Sequence, residues 1–242
     1  MKFAIISDIH ANLEALNTVL AAIDAMEDVE NTICLGDVVG YNADPNTCVE
    51  ILRDRDMLTI LGNHDAVACG FEEPWNFNPV AMAAALWTRD ALNDDNLNWL
   101  RTLPDMLKFE DFIAVHGAPD SRNTYMINWE DILPHLDFMR ESECNLCIAG
   151  HTHSPAIFSD DGVYVVDDDN CFHIGDDKIF FINPGSVGQP RDGNPDAAFG
   201  LLDTEERVFE QIRIPYPVKK AQQRVLEAGL PQFLADRLAL GR

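Results

Sequence analysis

The sequence predicts an α/β fold, a two-sheet β-sandwich flanked by helices, laid out as one domain over residues 1–242 with a helical tail from about residue 217 to 242. Three observations carry this. Up to about residue 150, short apolar runs alternate with stretches of helical period, the rhythm of strand then helix. From about Val163 the helical period disappears, and short β-rich runs separated by turn residues suggest antiparallel pairing. The chain has 242 residues, 47% of them hydrophobic, which is ample for a large core. Alternating β/α segments followed by a β-rich half imply two stacked sheets.

The elements follow in order. KFAII (residues 2–6) is a short apolar strand, and Leu13, Leu16, Leu20 and Ile23 then recur at the spacing of an amphipathic helix. NTICL (31–35) is the next strand, followed by a helix from Pro45 that carries Val49 and Leu52. MLTIL (57–61) leads to the helical stretch NPVAMAAALWTRDAL (78–92), with Pro79 suited to its first turn. Trp87 and Trp99 read as core residues rather than as a base-stacking platform. DFIAV (111–115) and NLCIA (145–149) are two more strands, with a polar segment and a helix around DILPHLDFM (131–139) between them. VYVV (163–166), IFFIN (179–183), AFGLLD (198–203) and VFEQIRI (208–214) are the strands of the second half. The acidic clusters at 167–170 and 175–177 read as solvated hairpin tips. A calcium site at residues 167–169 lacks the EF-hand spacing. The tail is helical, with a break at Gly229, Leu230 and Pro231.

Charge narrows the function. Lys and Arg number 17 against 41 Asp and Glu, a net charge of −24. Such a surface repels a phosphate backbone and an anionic membrane, so no polymeric nucleic acid and no membrane is expected as partner. An anionic small molecule would need a locally positive site. The first ten residues hold no signal-peptide core, and no stretch approaches the ~20 apolar residues of a membrane span. The six cysteines are far below disulfide-scaffold density, so reduced thiols and a cytoplasmic location are expected. Cys144 and Cys147 form a C-x-x-C. With no second pair, and with Cys147 inside a strand where positions i and i+3 face opposite ways, they read as structural thiols.

The informative residues stand at the ends of the apolar runs. KFAIIS leads to Asp8 and His10, TICLG to Asp37, and LTILG to Asn63, His64 and Asp65. DFIAV leads to His116, and LCIAG to His151 and His153. Each alone has an ordinary explanation. Asp8 is a candidate helix cap, GNHD is turn chemistry, and a lone histidine is more often a hydrogen-bonded core residue. Together, five strands ending this way at one end of one sheet point to a shared crevice, where α/β sheets bind ligands. Imidazole, carboxylate and amide oxygen without thiolate suit manganese, iron, zinc or nickel better than calcium, magnesium or a closed structural zinc. The donors are too many for one ion. A bridging aspartate would let two ions share the site, and their charge would draw in the anion.

DIH, GDVV, GNHD, HG and GHTH, in this order and spacing over residues 1 to about 190, resemble the calcineurin-like metallophosphoesterase superfamily. GDVVGYNADP and NPGSVGQPRDG are similar to a bacterial and archaeal subgroup, phosphodiesterase-like or diadenosine-tetraphosphatase-like. The resemblance implies the four-layer α/β/β/α fold and two divalent transition-metal ions, manganese first, with iron, zinc or nickel as alternatives. It assigns Asp8, His10 and His153 to one ion, Asp37 to the bridge, and Asn63, His116 and His151 to the other. It implies that His64 protonates the leaving oxygen or stabilises the transferring phosphoryl charge, that Asp65 orients His64, and that a hydroxide between the ions attacks. Outside the metals, Arg191 is a candidate phosphate contact, and Asn12, Tyr41 and Arg122 are lesser ones.

The implied activity is hydrolysis of a small phosphate ester or anhydride: a phosphodiester, a phosphomonoester or a dinucleoside polyphosphate. A protein serine/threonine phosphatase is the alternative within the class, and a non-catalytic binding scaffold is the alternative outside it. The scaffold predicts a missing ligand or a replaced His64, and neither is seen. A metallo-β-lactamase-type hydrolase would need H-x-H followed by x-D-H, which HTHSPA does not supply.

Overall fold

The computed structural model describes residues 1–165 and 170–242, so the possible calcium site at residues 167–169 lies outside the described residues. The first half runs β1 (Lys2–Ile6), α1 (Leu13–Asp24), β2 (Asn31–Cys34), α2 (Pro45–Asp54), β3 (Leu58–Thr59), α3 (Asn63–Ala68), α4 (Pro79–Ala91), α5 (Asp94–Leu100), β4 (Met106–Lys108) and β5 (Phe112–Val115). It continues with α6 (Trp129–Ile132), α7 (Leu136–Ser142) and β6 (Leu146–Ala149). The β-rich part holds β7 (Ala156–Ser159), β8 (Gly162–Tyr164), β9 (Cys171–His173), β10 (Phe180–Asn183), β11 (Ala197–Asp203) and β12 (Val208–Ile214). The tail is α8 (Val218–Glu227) and α9 (Gln232–Leu238).

Two six-stranded mixed sheets result, in the orders β3-β2-β1-β11-β12-β9 and β4-β5-β6-β10-β7-β8. Strands β1, β2 and β3 pair in parallel, as do β5, β6 and β10. Two expectations are corrected here. The β-rich half does not pair purely antiparallel, because β10 lies parallel to β6 on one side and antiparallel to β7 on the other. The five functional strand ends also do not belong to one sheet. Strands β1, β2 and β3 come from the first and β5 and β6 from the second, so their carboxyl ends meet across the sandwich.

Side-chain alternation explains the layers. Phe3 and Ile5 of β1, Phe112 and Ala114 of β5, and Phe180 and Ile182 of β10 face into the apolar layer between the sheets. Their neighbours Ala4 and Ile6 face outward onto α1, α2, α8 and α9, together with Leu16, Val49, Val225 and Leu234. Ile113, Val115 and Phe181 face outward onto the other side, against Ile132 of α6 and Met139 of α7. Helix, sheet, sheet and helix therefore stack as four layers. Trp87 and Trp99 are partly buried against the first outer cluster. Cys144 and Cys147 are both free and buried in the second. Cys144 precedes β6 rather than lying on it, so strand alternation does not separate the two thiols. Among the described residues no helix is long and apolar enough to cross a membrane.

Candidate metal centre

The loops that leave the strand ends build the site. β1 stops at Ile6 and Asp8 follows at φ 54°, then His10 at 48°. Asp37, His151 and His153 also have positive φ, at 52°, 67° and 60°. Left-handed backbone is rare for residues with a Cβ and is held only where surrounding contacts over-determine it. His151 and His153 are thus not on one face of an extended strand. They lie past the end of β6, on a loop that presents each ring separately. Gly150 is required beside them, because a Cβ there would sit 2.0 Å from Ser7 Oγ and 2.9 Å from Asp8 Oδ2. The cap of α1 is not Asp8 but Asn12, whose Oδ1 accepts from the Ala15 amide at 3.2 Å. Asp8 is left free for the site.

Seven side chains converge there, all buried. Asp8, His10, Asp37 and His153 form one group able to hold a metal ion, and Asp37, His116 and His151 form another. Asn63 joins the second, its Oδ1 lying 3.0 Å from His116 Nε2. His10 Nε2 is 3.5 Å from Asp37 Oδ2 and His116 Nε2 is 3.4 Å from the same atom, so one carboxylate oxygen stands between the groups. His153 Nε2 lies 3.4 Å from Asp8 Oδ1.

The hydrogen bonds around these donors fit bound cations. His10, His116 and His153 direct Nδ1 at the backbone oxygens of Val39, Leu35 and Gln189, at 3.0, 2.8 and 2.7 Å. A carbonyl only accepts, so each Nδ1 carries a proton, and Nε2 of the neutral His10 and His153 presents a bare lone pair. The Nε2 atoms of His10 and His153 nevertheless face each other at 3.1 Å. Two lone pairs that close need a cation between them. Asp8 Oδ2 accepts from Ser7 Oγ at 2.7 Å and from the His151 amide at 3.1 Å, and Asp37 Oδ1 accepts from the His64 amide at 2.8 Å. Asp8 Oδ1, Asp37 Oδ2 and His151 Nε2 are buried without a hydrogen-bond partner. Unpaired buried oxygens are costly unless a ligand meets them.

Titration behaviour agrees. Burial drives His10 and His153 well below the usual histidine range and His151 down to about 3, which leaves all three neutral, the form able to ligate a metal. Burial pushes the Asp8 carboxyl up to about 6. Burial opposes a charge on His116, yet the Asp37 and Asp8 carboxylates outweigh it and raise His116 to about 9. Burial likewise works against the Asp37 carboxylate, and its histidine neighbours, His116 first, overcome this and hold it well below the usual range. In the metal-free protein a proton on His116 supplies the positive charge that the donor set requires.

His64 opens the first turn of α3. Its ring is packed 4.4 Å from Tyr41, 4.5 Å from Phe77 and 4.8 Å from His10, centroid to centroid. Burial lowers it to about 4. The expectation that Asp65 orients this ring is corrected. Asp65 accepts from the amides of Val38, Val39 and Gly62 at 3.2, 3.0 and 3.1 Å, and His64 Nδ1 has no hydrogen-bond partner. Adjacent residues on a helix point in different directions, so Asp65 ties the Asp37 loop to α3 instead. Burial raises its carboxyl to about 7.

Of the candidate phosphate contacts, Arg191 lies beside Tyr41, its Nη2 donating to the hydroxyl at 3.3 Å and to Gln189 Oε1 at 3.0 Å. Asn12 is taken up as the α1 cap and by the Gly188 oxygen at 2.8 Å. Arg122 is paired with Glu72 and Asp105. Three contributors escaped the sequence reading: Ser7, which holds Asp8, Tyr125, whose ring stacks on His151 at 3.8 Å, and Arg237 of α9. Ser7 was legible in principle from its place between a strand and the candidate ligand Asp8. Tyr125 and Arg237 lie in segments whose pattern does not point at the strand ends.

The profile of the calcineurin-like phosphoesterase superfamily domain matches residues 1–207. The chain belongs to that superfamily. A metallophosphoesterase from Sphaerobacter thermophilus is similar at 35% identity, with a TM-score of 0.86 and 100% of this chain and 99% of that one covered. An uncharacterised protein of Methanocaldococcus jannaschii is 38% identical over 245 residues, 99% of this chain and 98% of its own. A hypothetical protein from Pyrococcus horikoshii shares the fold at a TM-score of 0.82 and 20% identity, with 100% of this chain and 98% of that one covered. In a calcineurin-like phosphoesterase these buried Asp and His groups could hold divalent metals.

Proposed function

We propose that this chain hydrolyses a small phosphate ester or anhydride with two divalent transition-metal ions. Asp8, His10 and His153 hold one, Asn63, His116 and His151 the other, and Asp37 both. The single observation that carries this reading is Asp37 Oδ2, buried, unpartnered and within 3.5 Å of ring nitrogens from both groups. Bound, the ions supply Lewis acidity toward the phosphoryl oxygens and a nucleophile from water at neutral pH. The backbone oxygens of Val39, Leu35 and Gln189 fix the ligand tautomers, and Ser7 and the His64 amide fix the carboxylates. His64, neutral in its apolar surroundings, donates an N–H to the transferring phosphoryl group or the leaving oxygen. The arriving anion raises its proton affinity, so the ring takes up a second proton from solvent and passes it to the leaving oxygen. Mn is the first ion to test, and Fe, Zn and Ni suit the same donors. Six cysteines, far below disulfide-scaffold density, suit a cytoplasmic, reducing setting.

The test reloads chelator-treated protein with Mn, Fe, Zn or Ni. Turnover is measured on aryl phosphomonoesters, aryl phosphodiesters and dinucleoside polyphosphates. At least one metal and one substrate are expected to give turnover. Asp37→Ala is expected to lose more metal affinity than the ~10–100-fold that removing an outer partner costs. No turnover under any metal would sink the proposal.

A further inference from the structure

Two guanidinium groups converge on one tyrosine at the edge of the metal-ligand cluster. The guanidinium carbon of Arg191 lies 5.6 Å from the Tyr41 ring centroid and that of Arg237 lies 5.8 Å from it. The same ring is 4.6 Å from the His10 ring and 4.4 Å from the His64 ring. Acidic residues outnumber basic ones by 41 to 17 in this chain. Arg122, Arg213 and Arg224 each pair with an Asp or Glu. Among the described residues neither Arg191 nor Arg237 pairs with an Asp or Glu side chain. Arg191 reaches only the neutral oxygens of Tyr41 and Gln189, and its buried Nε has no partner, nor has the buried Gln189 Nε2 beside it. Arg237 Nε donates to the main-chain oxygen of Arg242, and among the described residues its other nitrogens make no hydrogen bond. Burial and the charge of Arg191 hold Arg237 down at about 10. Two like charges gathered at one ring, neither paired with an Asp or Glu side chain among the described residues, form a site for an anion.

The backbone fixes the pair. The Arg191 amide donates to the His153 oxygen at 3.1 Å, which ties that loop to a metal ligand. The Gly193 amide donates to the Gly241 oxygen at 2.9 Å, which ties the turn after α9 to the same loop. α8 is held by the Arg224–Asp44 ion pair. Residues after α8 therefore contribute a charge to the site from outside the 1–207 segment that the superfamily profile matches.

We propose that Arg191 and Arg237 together form a second anion site, which binds a further phosphate of the substrate and selects molecules that carry at least two phosphate groups. This rests on reading the Asp and His cluster as the phosphoesterase centre. The test measures binding of inorganic phosphate and of tripolyphosphate to the metal-free full chain by calorimetry at low ionic strength. Tripolyphosphate is expected to bind more tightly than phosphate. Arg191→Gln and Arg237→Gln are each expected to weaken tripolyphosphate about tenfold, with Arg237→Lys retaining most of the affinity. Absence of tripolyphosphate binding, or wild-type affinity in Arg237→Gln, overturns the proposal. A purely structural latch would lower the melting temperature of Arg237→Gln and leave its tripolyphosphate affinity intact. If Arg237→Gln loosens the tail, Arg191→Gln decides. Should no metal give turnover while tripolyphosphate binding still depends on both arginines, the hydrolytic reading fails and the anion site stands.

Discussion

At the residue scale, His64 is the group whose role differs most from that of its neighbours. It is buried against aromatic rings, touches none of the carboxylates through its ring, and is held neutral. Replacing it with alanine is expected to lower turnover by about 10²–10⁴-fold, the usual contribution of a positioned proton donor. Metal content, read by elemental analysis, should stay at the wild-type level. A variant that loses its metals instead would show His64 to be part of the ligand set. Gly40 supplies an independent check. It has φ +95° and a Cβ there would lie 2.6 Å from His64 Nδ1. Gly40→Ala should therefore displace the His64 ring and reproduce much of the turnover loss, again with metals retained. The residue types gathered in the buried cluster were readable from sequence, because each follows an apolar run directly. The ring packing of His64 was not readable, since Tyr41 and Phe77 reach it from separate loops.

At the element scale, α3 is six residues long and buried on all sides, so it shows no amphipathic period for a sequence reading to detect. Strands β4 and β9 have three residues each, too few to show alternation. The longer helices α1, α2 and α4 were legible because each has one buried face, and α4 starts at Pro79 under the Asn78 cap. The division of the strands between two sheets was not legible, since local period carries no information about which distant strand is the neighbour. What positions α3 is Asp65, with three amide donors from two segments. Asp65→Ala should leave those buried amides unpaired and cost about 1–3 kcal/mol. Urea denaturation checks this: an unchanged midpoint would mean that the loop finds other partners. Because the Asp37 amide loop is held by the same carboxylate, the variant should also bind metal more weakly.

At the scale of the whole molecule, the buried titratable groups set the response of the metal-free protein to pH. His10, His64, His151 and His153 have folded-state values below 6.5, so the unfolded chain takes up their protons first. Their contribution to stability is present above pH 6.5 and is lost as pH falls, through about 4 for His64 and about 3 for His151. Asp8 and Asp65 act in the opposite sense, because their folded values of about 6 and about 7 exceed 3.8. Their contribution is present below 3.8 and is lost as pH rises through those values. Between pH 4 and 6 four histidines stand against two carboxyls, so the unfolded chain carries two more protons and stability rises with pH. The slope is at most about 3 kcal/mol per pH unit. His116, raised to about 9, adds a contribution present below 6.5 and lost as pH rises through 9. Stability of the metal-free protein should therefore peak near pH 7. Urea midpoints at pH 5, 6, 7 and 9 test this, and His64→Gln isolates the buried part, since the −24 surface charge is common to both proteins. The variant should lose about 1.4 kcal/mol per pH unit of slope between pH 4 and 6. Metal loading should remove the decline above pH 7, because a bound cation takes the place of the proton on His116. Equal slopes in variant and wild type would show that His64 is solvated, contrary to the packing seen around it.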